Sequence, residues 1–345
     1  MNPVPRPVGV GLIGAGAIGS FHAESLARRI PEAELVAIAD PAPGAAERLA
    51  SSLGVTGFTT DSAELLADPV VEAVVIAAPA RFHADLIEAA AAAGKAVFCE
   101  KPTALTLADA DRAIAAARVA GVPLQAGFNR RFDRAFRAGR EAVMSGRLGT
   151  PQLLRSLTRD PGLGDPSPIP PWTIFLETLI HDFDALRYLN PGAEAVSVYA
   201  VADALVRPDF KERGLLDTAT VVVRFDNGAI ATAEASFHAV YGYDIRGEVF
   251  GSEGMARMGD ARRSSTAIYD ASGIAADTVR SNVELFHDAY TEQLAHFARC
   301  VRTGEEPEVT GEDARAALAI ALAAIRSVQS GQAVNVAETS VATVG

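Results

Sequence analysis

Val8 to Ile13 is an unbroken apolar run that leads directly into Gly14-Ala15-Gly16-Ala17-Ile18-Gly19, and then into a helical pattern reaching about Arg29. A GxGxxG between a strand and a helix narrows the fold sharply, because each glycine answers a separate steric demand. Gly14 permits the tight turn, Gly16 lets the backbone approach a pyrophosphate, and Gly19 lets the helix pack closely on the strand. Ala17 and Ile18 open a helix whose free N–H groups and positive dipole end suit a phosphate.

The next strand-like run, Glu34 to Ala39, ends in Asp40, about 20 residues past the last glycine, where a carboxylate accepts hydrogen bonds from a ribose diol. It would repel a 2′-phosphate, and Pro41-Ala42-Pro43 supplies no Arg or Lys to hold one. NAD is therefore expected over NADP; the competing role for Asp40 is to cap a helix starting near Gly44. The alternation continues with strands at 71–78, 96–99 and 122–126 and helices at 83–93 and 107–120. Strands apolar throughout, separated by helices, indicate a parallel sheet covered on both faces. Residues 1–126 are read as a doubly wound Rossmann domain in which the loops from Gly14, Asp40, Pro79 and Glu100 converge beyond the carboxyl ends of the strands.

The chain has 345 residues, 49% of them hydrophobic, enough for two domains. A formal net charge of −12 argues against nucleic acid or an anionic membrane as partner, since phosphate binding requires concentrated Lys and Arg. Cys99 and Cys300 stand far apart with no CxxC, and the six histidines show no ligand-like spacing, so the expectation is reduced thiols and no metal. The N-terminal apolar run is short and broken by glycines, with no A-x-A cleavage site, which reads as a cytoplasmic protein without a membrane segment.

From Phe128 the pattern changes. A basic helix at 130–146 precedes a strand at 152–158, then a helix at 173–189, then strands at 195–202, 219–225, 229–237 and 245–250 with Asp226-Asn227-Gly228 as a hairpin turn. This predicts an α+β domain over 127–310 with an open, mostly antiparallel sheet whose bare face invites self-association. Helical patterns at 290–303 and 312–329 are read as packing back on the nucleotide domain, with 311–345 as a C-terminal helix and tail and Thr310 and Asp313 as a capping pair. Within FLETLIHDFDALRYL, Glu177, His181, Asp184 and Tyr188 fall within about 60° of one another on a regular helix, opposite an apolar face. Taken alone, that stripe is a solvated face or a reactive one.

Glu100-Lys101-Pro102 ends a strand at the predicted crevice, and Pro102 bars the strand from continuing. With the glycine turn, AAPARFH (Ala77–His83), GFNRRFD (Gly127–Asp133), ETLIHDFD (Glu177–Asp184) and YGYD (Tyr241–Asp244), the chain resembles the glucose-fructose oxidoreductase/inositol dehydrogenase/MocA family, and within it the inositol 2-dehydrogenases. The resemblance implies NAD contacts at Gly14, Ala15, Gly16, Ala17, Ile18, Gly19, Asp40, Ala78, Pro79, His83, Glu100 and Lys101, and a homotetramer built sheet to sheet. It implies that Lys101 and His181 carry the chemistry, with Glu177 where the family's inositol enzymes have aspartate. Arg131 and Tyr241 match substrate-contacting positions, with Asn129 and Tyr243 as weaker candidates.

These residues suit oxidation of a secondary alcohol. Histidine has an ordinary pKa of about 6.5 and serves as general base, Glu177 fixes its tautomer or holds a substrate hydroxyl, and Lys101 stabilises the developing alkoxide. The expected substrate is a polyol or sugar: myo-inositol first, then another cyclitol, an amino-cyclitol or a pyranose. A regulator that binds the nucleotide without turnover is the competing class.

Overall fold

The computed structural model describes residues 6–162 and 164–341; the first five residues, Leu163 and the last four lie outside it, including the ends of the expected N-terminal and C-terminal segments. The chain divides into two compact units, one made of 1–129 with 288–315, the other of 130–287 with the residues from Ala316 onward.

The first unit is built on β1 (Val8–Ile13), α1 (Ala17–Arg28), β2 (Ala33–Ala39), α2 (Ala45–Leu53), β3 (Gly57–Thr59), α3 (Ser62–Ala67), β4 (Ala73–Ile76), α4 (His83–Ala92), β5 (Ala96–Cys99), α5 (Leu107–Ala120) and β6 (Leu124–Ala126). All six strands run parallel in the order β3-β2-β1-β4-β5-β6. The order reverses between β1 and β4, so the loops leaving their carboxyl ends part there and leave a crevice. Val8, Val10, Leu12, Ile38, Val75 and Phe98 are buried at the centre because a parallel sheet has no wet face. The sequence pattern did not mark β3 and α3, which are short and lack a sustained period.

The second unit contains α6 (Arg134–Met144), β7 (Pro151–Arg159), α7 (Ile180–Tyr188), β8 (Ala195–Asp203), β9 (Thr218–Phe225), β10 (Ile230–Ser236), β11 (Asp244–Gly251), β12 (Met255–Met258), β13 (Arg262–Asp270), β14 (Gly273–Thr278) and α8 (Asn282–Leu285). They are followed by α9 (His287–Thr303), α10 (Gly311–Ser330) and β15 (Val334–Asn335). Its main sheet runs β12-β11-β7-β10-β9-β8-β15, antiparallel except for the β7 and β10 pair. The expected turn at Asp226–Gly228 joins β9 to β10. Strands β13 and β14 form a separate exposed hairpin, which the sequence pattern missed because neither strand carries an apolar face.

Three expectations need correction. The helix read over 130–146 begins only at α6, because Asp133 caps it by accepting from the N–H groups of Ala135 and Phe136, and a short 3₁₀ turn, Asn129–Phe132, precedes it. The helix read over 173–189 is a π-turn, Ile174–Leu179, continued by α7. The C-terminal segment does not return whole to the nucleotide unit. Leu294, Phe297 and Ala298 of α9 join that unit's core, whereas Ser327 of α10 accepts from the Ala200 N–H of β8 at 2.9 Å, and β15 pairs with β8.

Candidate active site

In the first unit, β1 delivers the chain into the glycine turn. Gly14 holds φ at +105°, and a Cβ on it would lie 2.6 Å from the Ala77 carbonyl oxygen. A Cβ on Gly19 would lie 2.0 Å from the Gly14 carbonyl oxygen, so both positions exclude a side chain. Gly16 differs: no described atom lies within 4 Å of where its Cβ would be, and both it and Ala17 at the start of α1 are exposed. That open cradle at a helix N-terminus fits a pyrophosphate, since backbone N–H groups and the dipole both favour negative charge.

Asp40 follows β2. Its carboxylate accepts from the Ala15 N–H at 2.7 Å and from the Ala42 N–H at 2.8 Å, which ties the second strand's end to the glycine turn. It does not cap α2, whose N-cap is Gly44. A carboxylate has about four acceptor sites, so two remain for a ribose.

The loops after β4 and β5 are bound together by His83, whose Nε2 meets the Ala78 carbonyl at 2.7 Å and whose Nδ1 meets the Pro102 carbonyl at 2.8 Å. What buried His83 offers the crevice is the position of two loops. Glu100 is also buried: one oxygen meets His22 Nε2 at 2.7 Å and the other accepts from the Lys101 N–H at 3.2 Å. The sequence reading overlooked His22, whose only signal is a polar residue on the buried face of α1. Lys101 is half-buried beside it, and the Lys101–Pro102 peptide is cis.

In the second unit, Trp172 opens the segment before α7 in the left-handed region, φ +63°, and its N–H donates to the Gly214 carbonyl at 2.9 Å. The π-turn follows, then α7, whose Ile180, Phe183 and Leu186 are fully buried where the helix packs on β7 and β10. Glu177 and His181 are half-buried, as is Tyr188, while Asp184 is wholly buried and paired with Arg131. The expected stripe is therefore interrupted at Asp184. Asn129 is buried in the 3₁₀ turn. Tyr241 is 45% exposed and donates to Asp244 at 2.7 Å, and Tyr243 is half-buried with its N–H on the Val279 carbonyl.

Residues 8–128 match the model of an oxidoreductase family with an NAD-binding Rossmann fold, and residues 140–336 match that family's C-terminal alpha/beta domain. The chain belongs to this oxidoreductase family. It is an NAD-dependent enzyme on that ground. It is 40% identical to the myo-inositol 2-dehydrogenase of Thermotoga maritima, over 95% of this chain and 98% of the relative. It is 38% identical to the scyllo-inositol 2-dehydrogenase (NAD(+)) of Bacillus subtilis, over 94% of each. Among solved structures, scyllo-inositol dehydrogenase from Lactobacillus casei with bound NAD(H) and scyllo-inositol superposes with a TM-score of 0.91 at 28% identity, covering 96% of this chain and all of that one. Among the described residues no cluster of three or more His, Cys, Asp or Glu side chains is placed to hold a metal, and no helix is long and apolar enough to cross a membrane.

Proposed function

We propose that this enzyme oxidises a ring secondary alcohol of a cyclitol at the expense of NAD⁺, with myo-inositol going to 2-inosose. The observation that carries the reading is near-full-length similarity to inositol 2-dehydrogenases, in a chain with Lys101 at the EKP position and His181 on the later helix. NAD supplies the hydride acceptor when bound. His181 removes the hydroxyl proton as the carbinol C–H bond breaks and the C=O bond forms, and returns it in the reverse direction. Lys101 places a positive charge and three donors at the developing alkoxide. Glu177 accepts from the imidazole or from a second ring hydroxyl.

The residues assigned to cofactor are Gly14 to Gly19, Asp40, Ala78, Pro79, His83, Glu100 and Lys101, the last four positions partly through the loops they hold. Tyr241 is kept as a substrate contact. The protein is read as a cytoplasmic homotetramer whose main sheet faces its counterpart in another copy. Residues 1–126 serve the nucleotide and 127–310 the substrate and assembly.

Glu177 favours a second reading, the same chemistry on another cyclitol, because its extra methylene exceeds the roughly 0.5 Å tolerance of a catalytic constellation. A panel of myo-, scyllo- and chiro-inositol, an amino-inositol, glucose and galactose with NAD⁺, read as kcat/KM, tests both. The highest value on myo-inositol supports the first reading, and on another cyclitol the second. A pyranose ahead of every cyclitol, or no turnover at all, refutes both.

A further inference from the structure

Helix α7 is gripped by two buried ion pairs that come from consecutive residues. Arg130 Nη1 donates to Asp182 at 2.7 Å, Ser156 and Thr158 of β7 donate to the same carboxylate at 2.5 and 2.7 Å, and Arg130 Nη2 reaches the Thr158 hydroxyl at 2.5 Å. One residue on, Arg131 holds Asp184 through Nε at 3.0 and 3.1 Å and through Nη2 at 2.5 Å. None of the four side chains is more than 8% exposed. The Tyr188 ring is met by the guanidinium groups of Arg131 and Arg140, 5.3 and 5.1 Å from its centre.

Asp182 and Asp184 leave the helix about 200° apart at 3.6 residues per turn, so the two pairs grip it from opposite flanks and oppose rotation about its axis. Rotation matters here because the preceding turn is a π-turn, Ile174–Leu179. Such turns are rare, and relaxation to an α-turn would swing Glu177 around the axis relative to His181. The upstream end is fixed by Trp172, and the downstream end begins at the gripped residues. Stability alone does not account for four buried charges, because well-packed apolar replacements for a buried pair are often neutral or stabilising.

We infer that Arg130–Asp182 and Arg131–Asp184 are positioning pairs that set the rotation of α7, and with it the direction of the His181 imidazole relative to Glu177. Arg131, expected from the sequence to touch substrate, acts through Asp184. The inference rests on His181 being the base.

The test uses the full chain carrying Arg131→Met together with Asp184→Leu, which removes both members of the pair at once, and separately Arg131→Lys, which keeps the charge and loses the fork. The His181 ring signal, assigned by its loss in His181→Gln, is followed by NMR against pH without substrate, beside NAD affinity and cyclitol kinetics. In the double variant the signal and its titration midpoint move, and kcat falls about 100-fold, the effect of about 1 Å of misplacement, while KM and NAD affinity change less than about threefold. Arg131→Lys gives a smaller change of the same kind, and decides the matter if the double variant does not fold. A raised KM at unchanged kcat overturns the inference in favour of substrate contact. An unmoved His181 signal also overturns it, and because that readout needs no substrate, it is separate from whether the chain oxidises a cyclitol.

Discussion

Lys101 lies just past the end of β5 and His181 lies on a helix, and neither position is unusual for its residue type. Their assignment makes a specific demand: each must matter far more to the chemical step than to cofactor binding. Lys101→Ala and His181→Ala are expected to lower kcat by about 10²–10⁴, the range for a positioned acid or base, with NAD affinity by fluorescence titration nearly unchanged in His181→Ala and lowered far less than kcat in Lys101→Ala. Full turnover in either variant removes that residue from the mechanism. The residues legible in the sequence were those whose reason is local. Gly19 is demanded by the Gly14 carbonyl within the turn itself, and Gly14 by its own φ of +105°, with the Ala77 carbonyl after β4 adding a second, non-local demand. The partners of Arg131 and Glu100 were not legible, because Asp184 and His22 lie 53 and 78 positions away in the chain.

Two contrasts belong to the elements. Gly19→Ala must displace the Gly14 carbonyl at the start of α1, so its melting temperature drops, with about 1–3 kcal/mol lost as for other overpacked sites. Gly16→Ala meets open space at φ −70°, so thermal stability stays at the wild-type value while NAD affinity falls at least about tenfold through loss of the close approach. Equal stability losses in the two variants would contradict the cradle. Where β1, β4 and α9 meet, burial alone would raise the Glu72 carboxyl, but the Gly9 N–H and the Arg302 guanidinium outweigh it and hold the pKa below the ordinary 4.5. A depressed folded value contributes stability that is present above 4.5 and lost as pH falls through the lower, folded value. Glu72→Gln is therefore expected to cost about 1 kcal/mol at pH 7, measured by urea unfolding, and the difference from wild type should vanish in acid. Strands β1, β2 and β4 to β11 and the long helices were legible because period and turn chemistry agree. The π-turn was not, since Ile174–Leu179 reads in sequence like any amphipathic turn and takes its form from Trp172, Gly214 and the packing on β10.

For the molecule as a whole, the decisive feature is the face of the main sheet opposite α7. Register places Met255, Phe250, Leu153 and Ile230 in one row across β12, β11, β7 and β10, each between 44% and 53% exposed. The next row toward the other side mixes Arg257, Glu248 and Arg155 with Thr232, Val222 and Tyr199. Fully burying a side chain of the first kind contributes about 1.5–3 kcal/mol, and these four are already half covered, so a second copy laid on the row gains several kcal/mol in total. The charged row then contributes register more than affinity. If the sheet is the assembly surface, Ile230→Lys with Phe250→Lys puts two charges into its apolar row and should shift the protein to smaller species in analytical ultracentrifugation at micromolar concentration. The core face of the same strands is untouched, so each protomer should keep its fold and its NAD affinity. A double variant that sediments like the wild type would show that copies meet elsewhere or not at all, leaving the apolar row without the partner assigned to it.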